Sequence, residues 1–124
     1  MEDELIEVLE SVETGIPVIR QGSLPPDQAY PDTFFTFWNR EEEGQAFYDN
    51  DVVSSRHLFD VNVYSTDAET AYSLLRKARL ELKANGWVCV SMGYDIASDE
   101  QTHIGRGMQV EFLKFEKKEE TSNG

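Results

Sequence analysis

Apolar positions along this chain change period several times, and each change marks an element. Leu5, Val8, Leu9 and Val12 recur at helical spacing, with Ile6 beside them and glutamates opposite, which predicts an amphipathic first helix. Glu2, Asp3 and Glu4 complement the positive end of its dipole, and Gly15 stands where a C-terminal cap wants positive φ. Ile16 to Ile19 is limited to a short edge or extended segment, because Pro17 has no N–H to give a ladder. Gly22 to Pro31 reads as a proline-punctuated loop.

Period two takes over at Thr33 to Trp38, a strand with Phe35 and Phe37 on one face and Phe34, Thr36 and Trp38 on the other. Arg40 to Ser55, with Glu41-Glu42-Glu43-Gly44 and Asp49-Asn50-Asp51, is too polar and too long for a hairpin turn. It reads as an extended arm or mobile loop. Arg56 to Tyr64 alternates again, with Phe59, Val61 and Val63 expected to face the core. Thr66-Asp67-Ala68-Glu69 has capping-box spacing, and Ala68, Ala71, Tyr72, Leu75, Ala78 and Leu82 predict a second helix ended by Asn85-Gly86. Its apolar stripe is expected to lie on Phe59, Val61 and Val63.

Trp87 to Ile96 and Gly107 to Phe115 predict a last antiparallel pair, and periodicity is lost from Glu116 to Gly124. The expected order is α-β-β-α-β-β: an α+β domain over residues 1–115, a small and mainly antiparallel sheet packed by two helices, then a flexible polar tail at 116–124.

Composition narrows the function. With 124 residues there is room for one core. The net charge is −13, which disfavours ordinary nucleic-acid binding driven by counterion release. It leaves general solubility, a DNA mimic, or an acidic surface past which DNA moves without sticking. No run is long and apolar enough for a bilayer, and the acidic N-terminus is unlike a secretory signal, so an intracellular protein without membrane contact is expected.

Candidate chemistry is sparse. Cys89, alone in the chain, can form neither an internal disulfide nor a cysteine zinc site, and it reads as a core thiol. His57 and His103 fall in polar junctions with no nucleophile in the pattern. Asp99, Glu100 and His103 share a segment but lack the spacing of a helix-borne metal site or a calcium loop. Gly105-Arg106-Gly107 precedes a strand and not a helix, so it reads as a bend or bulge, with Arg106 either solvated or at an interface. The aromatics of Phe34 to Trp38 lack the positive groove of a single-strand-binding platform. No enzyme activity, cofactor or metal is expected.

Several segments together resemble one family. Gly15-Ile16-Pro17-Val18, Tyr30-Pro31-Asp32-Thr33-Phe34-Phe35-Thr36-Phe37-Trp38 and Phe59-Asp60-Val61-Asn62-Val63-Tyr64-Ser65 before a capped helix are similar to the tail terminator, or tail completion, proteins of long-tailed bacteriophages and prophages. So are Gly86-Trp87, Ser98-Asp99-Glu100 and His103-Ile104-Gly105. The resemblance implies a structural protein that self-associates into a ring, commonly a hexamer, on the head-proximal end of the tail tube. There it ends tail polymerisation and permits head-tail joining. It implies the tail tube protein and the head-tail connector or neck proteins as partners, DNA passing through the channel without specific binding, and residence in the bacterial host cytoplasm during assembly and in the virion tail or neck afterwards.

Within that reading the arm and the following loop supply the candidate assembly interface: Arg40, Glu41, Glu42, Glu43, Asp49 and Asp51, with Asp99, Glu100 and Arg106. The alternatives are a head-closure or neck protein of the same machinery, an acidic DNA-mimic inhibitor of a nucleic-acid-binding protein, and a small α+β enzyme.

Overall fold

A computed structural model describes residues 1–21, 23, 29–46 and 52–117. The protein is α+β, and the described residues form α1 (Glu2–Glu10), β1 (Val18–Arg20), β2 (Thr33–Ala46), β3 (Val52–Ser65), α2 (Ala68–Ala84), β4 (Val88–Cys89), β5 (Tyr94–Ile96) and β6 (Ile104–Lys117). The expected order survives in its helices and its mainly antiparallel sheet. It gains β1 ahead of the first long strand, and the single strand expected over Trp87 to Ile96 becomes two fragments.

The sheet runs β1-β2-β3-β6-β4, with β5 also against β6 and β1 parallel to β2. β2, β3 and β6 are each 14 residues long. At about 3.3 Å per residue they span roughly 45 Å. α2, with 17 residues, is about 25 Å long. The strands therefore outrun the helix layer at the end where β2 and β3 join.

Of the extended arm or mobile loop expected over Arg40 to Ser55, the loop is corrected here: both flanks are strand. β2 continues to Ala46 and β3 starts at Val52, paired from Glu41↔Leu58 to Ala46↔Val53. The acidic run lowers local strand propensity, but β3 is held on its other side by β6 all the way from Ser65↔Ile104 to Val52↔Lys117. Pairing to a strand that is itself held on both sides overrides a weak local preference. A register shift between Asn39 and Glu41 leaves Arg40 as the extra residue of a bulge. β6 also continues past the expected end of the domain to Lys117, and the remainder of the expected tail lies outside the described residues.

Period two sorts β2, β3 and β6 into two faces. Phe35, Phe37, Phe59, Val61, Val63, Met108 and Val110 are buried under the helices, with Leu5 and Leu9 from α1 and Ala71, Leu74, Leu75, Ala78 and Leu82 from α2. Leu74 takes the inward place expected for Tyr72, which is exposed. Trp87 closes the core, its ring 5.9 Å from Phe59 and 5.1 Å from Phe112.

Helix ends differ in detail from expectation. Asp67, one residue after the expected Thr66, caps α2 by accepting from the Thr70 N–H at 3.1 Å. The same hydrogen bonds from Thr70 hold the Asp67 carboxyl below the usual range. α1 ends at Glu10, with Ser11 donating its hydroxyl to the Val8 carbonyl at 2.6 Å, and Gly15 at φ +90° serves the following turn. No described helix is long and apolar enough to cross a membrane.

Candidate assembly surface

Among the described residues no helix covers the other face of the sheet, which is mixed in character. Phe34, Thr36 and Trp38 from β2 stand opposite Tyr64, Asn62 and Asp60 of β3. Phe34 is buried by Tyr64, which stacks on it at 5.3 Å, and by Tyr30 and His103 edge-on. Trp38 is 47% exposed. Between them lies a shallow cleft of about 420 Å³ lined by Gln21, Trp38, Asp60, Asn62, Tyr64 and Ile96.

Its polar floor is internally linked. The Asn62 amide donates to Gln21 and to the Thr36 hydroxyl, both at 3.4 Å. Burial pushes the Asp60 carboxyl above the usual range, opposed by Arg40 at 3.6 Å. Burial also raises the Tyr64 phenol, with the Asp99 carboxylate adding to it.

Two glycines make this face possible. Gly105-Arg106-Gly107, expected to form a bend, lies inside β6 in regular pairing with both β3 and β5. A Cβ on Gly105 would sit 2.7 Å from Ile96 Cγ1 and 2.9 Å from Tyr64 Cε1, and one on Gly107 would collide with Asn62 Oδ1. The glycines give room to cross-strand side chains, a role that short Gly-x-Gly spacing does not distinguish from a turn.

Arg106, between them, points to the helix face and is held within the chain. Its guanidinium pairs with Asp95 at 3.0 Å and covers the Tyr72 ring at 4.3 Å, leaving the side chain 14% exposed. It is thus an internal clamp between β6, β5 and α2, which corrects its reading as a solvated side chain.

The other candidate residues are split between the two ends of the sheet. Arg40 and Glu41 to Glu43 lie at the arm, where Asn39 donates to Glu42 at 3.4 Å and Arg56 grips Glu111 at 2.6 Å and 3.2 Å. Asp99 and Glu100 lie in the turn before β6, at the opposite end of β3 and β6. The structure does not bring these two groups together. Asp49 and Asp51 lie outside the described residues.

Both histidines are occupied. His103 donates through Nε2 to the Pro31 carbonyl at 2.8 Å, which leaves Nδ1 to accept from the Thr102 hydroxyl at 3.0 Å. It fastens the approach to β2 against the turn before β6, a role that its sequence context did not signal. His57 Nε2 meets the Ser55 hydroxyl at 3.0 Å on the arm. Cys89 is half-buried rather than fully in the core; burial raises its thiol, and its Sγ lies 3.7 Å from the Arg79 carbonyl. Among the described residues no three His, Cys, Asp or Glu side chains group to hold a metal ion.

What this arrangement offers is surface: a bare face, a long arm and two strand edges. Comparison with protein-family models gives no match, and comparison with curated proteins gives none either.

Proposed function

We propose that the protein is a structural assembly component of a long-tailed phage or prophage, a ring at the head-proximal end of the tail tube that ends tail polymerisation and receives the filled head. The observation that carries this reading is the three-stranded arm running past the helix-covered core. It combines ion pairs with strand edges and presents extended backbone in place of a convergent polar pocket. An extended, charged projection of this kind suits docking onto a repeating tube better than holding a small substrate.

Two further features support the same reading. The resemblance in β2, in β3 and around the turn before β6 spans most of the chain. The net charge of −13 would let a ring of such subunits pass DNA without retaining it.

The test is electron microscopy of an induced lysate from a host in which this reading frame is disrupted and then restored in trans. The expected result is DNA-filled heads separated from tails of irregular, excessive length, corrected by the restored copy. Tails of normal length beside unattached or leaking heads would move the protein to head closure in the neck. Normal infectious particles would overturn the assembly reading and favour the acidic inhibitor.

A further inference from the structure

The two helices carry opposite chemistry on their exposed sides. α2 packs beside β4, and its outward stripe is Arg76, Arg79, Leu80 and Lys83, spaced i, i+3, i+4 and i+7. Next to that stripe Val88, Val90 and Met92 are 60%, 59% and 75% exposed. β4 is paired to β6 on one side and, among the described residues, has no strand on the other.

Between helix and edge runs a cleft of about 440 Å³. Inside it Arg79 Nε and Ser91 Oγ are shielded from solvent without a hydrogen-bond partner, a costly state unless something else completes it. Acids outnumber bases 24 to 11 in this chain. Even so, Arg76, Arg79 and Lys83 form no ion pair among the described residues.

The complementary surface lies on the other helix. α1 packs against α2 and β1, the strand at the other edge of the sheet. Its exposed Asp3, Glu7 and Glu10, spaced i, i+4 and i+7, likewise form no ion pair among the described residues. Both stripes cover eight residues of helix, about 10 Å at 1.5 Å per residue.

We propose that these surfaces meet between copies of this chain, the acidic α1 stripe of one copy seating against the basic α2 stripe and the apolar β4 edge of the next. The partner is a second copy because the chain itself supplies a stripe of matching length and opposite charge on the exposed side of its other helix. The contact is heterologous: each copy uses one surface to give and the other to receive, so the array closes into a ring or continues as a filament. Leu80, Val88, Val90 and Met92 supply apolar area, while the charges fix register and orientation. The inference deepens the ring reading above, yet its test contains neither heads nor tails, so either can fail without the other.

Sedimentation of the purified full chain at low ionic strength, over concentrations up to millimolar, reads the association directly. Self-association weakening with added salt is expected. Glu7→Lys with Glu10→Lys, or Arg76→Glu with Lys83→Glu, each weakens it by roughly tenfold or more. Circular dichroism of these exposed substitutions should match the wild type. Mixing the two variants in equal amounts restores association, because each swapped stripe then meets a swapped partner. A wild-type chain that stays monomeric throughout overturns the proposal, as do variants that associate normally and a mixture that fails to recover.

Discussion

The two faces of the same three long strands obey different rules. Under the helices Phe35, Phe37, Phe59, Val61, Val63, Met108 and Val110 of β2, β3 and β6 are sealed, with neighbours from both helices, and Arg106 is the charged side chain set among them. On the bare face, aromatic rings alternate with Asp60, Asn62 and Gln21 around a cleft, and glycines replace side chains where β5 crosses close. The first face is built to be dry, whatever partner arrives. The second keeps polar groups linked to one another and leaves Trp38 about half exposed.

The sharpest break in that comparison is Phe59→Ala. The ring is fully buried between Phe37 and Trp87, and urea unfolding should show a loss of about 3–5 kcal/mol. Trp38→Ala on the bare face should cost far less in the same measurement. If the two substitutions destabilise equally, the faces do not differ as described.

Next in size is Gly105→Ala, which is expected to cost about 1–3 kcal/mol because a methyl group there overpacks Ile96 and Tyr64. The β5 pairing should loosen with it, visible as faster amide exchange at Tyr94 to Ile96.

Arg106→Met tests the clamp on the covered side. It gives up the contact with Tyr72 and the pair with the exposed Asp95, for a loss of about 1 kcal/mol. The loss stays this small because the shielded, unpartnered Nε goes with it.

The smallest effect belongs to Asp60 and appears as pH dependence. Its folded-state pKa is raised by burial, so the folded protein holds this proton more tightly than the unfolded chain. The contribution to stability is present below the unfolded pKa and is lost as pH rises through the folded pKa. Asp60→Asn should therefore gain on the wild type as pH rises through the aspartate range, with the difference level above it. Urea midpoints measured across that range give the answer, and an opposite slope would show that Arg40 outweighs burial.

Much of the fold was legible where local and tertiary preferences agree. Phe59, Val61 and Val63 alternate cleanly and lie in the core, and Asn85-Gly86 ends α2 with Gly86 at φ +90°. Legibility failed where they disagree. Glu41-Glu42-Glu43-Gly44 resembles a loop by composition and is strand by pairing. Val88, Val90, Met92 and Tyr94 alternate as an inward face would, yet they are exposed, since Trp87 takes the inner side and Gly93 at φ +127° breaks the run into β4 and β5.

The candidate surface was legible in part. The arm was found from its charge and length, with its conformation misread. Arg106 was named for its setting between glycines, a setting equally consistent with an exposed tip and with the clamp it forms. Arg76, Arg79 and Lys83 were visible only as the polar side of a helix, because sequence spacing shows which residues share a stripe and not which sheet edge that stripe borders.

By itself the sequence determined the composition of each face, the glycine that ends α2 and the acidic charge, because these depend on spacing within a few residues or on simple sums. Only the tertiary structure decided that the acidic run would be strand, which alternating set would be wet, and that an acidic stripe on one helix and a basic stripe on the other would both be exposed. Those outcomes depend on pairing between residues as far apart as Arg56 and Glu111, and such pairing is fixed by the closure of the whole sheet and not by any local segment.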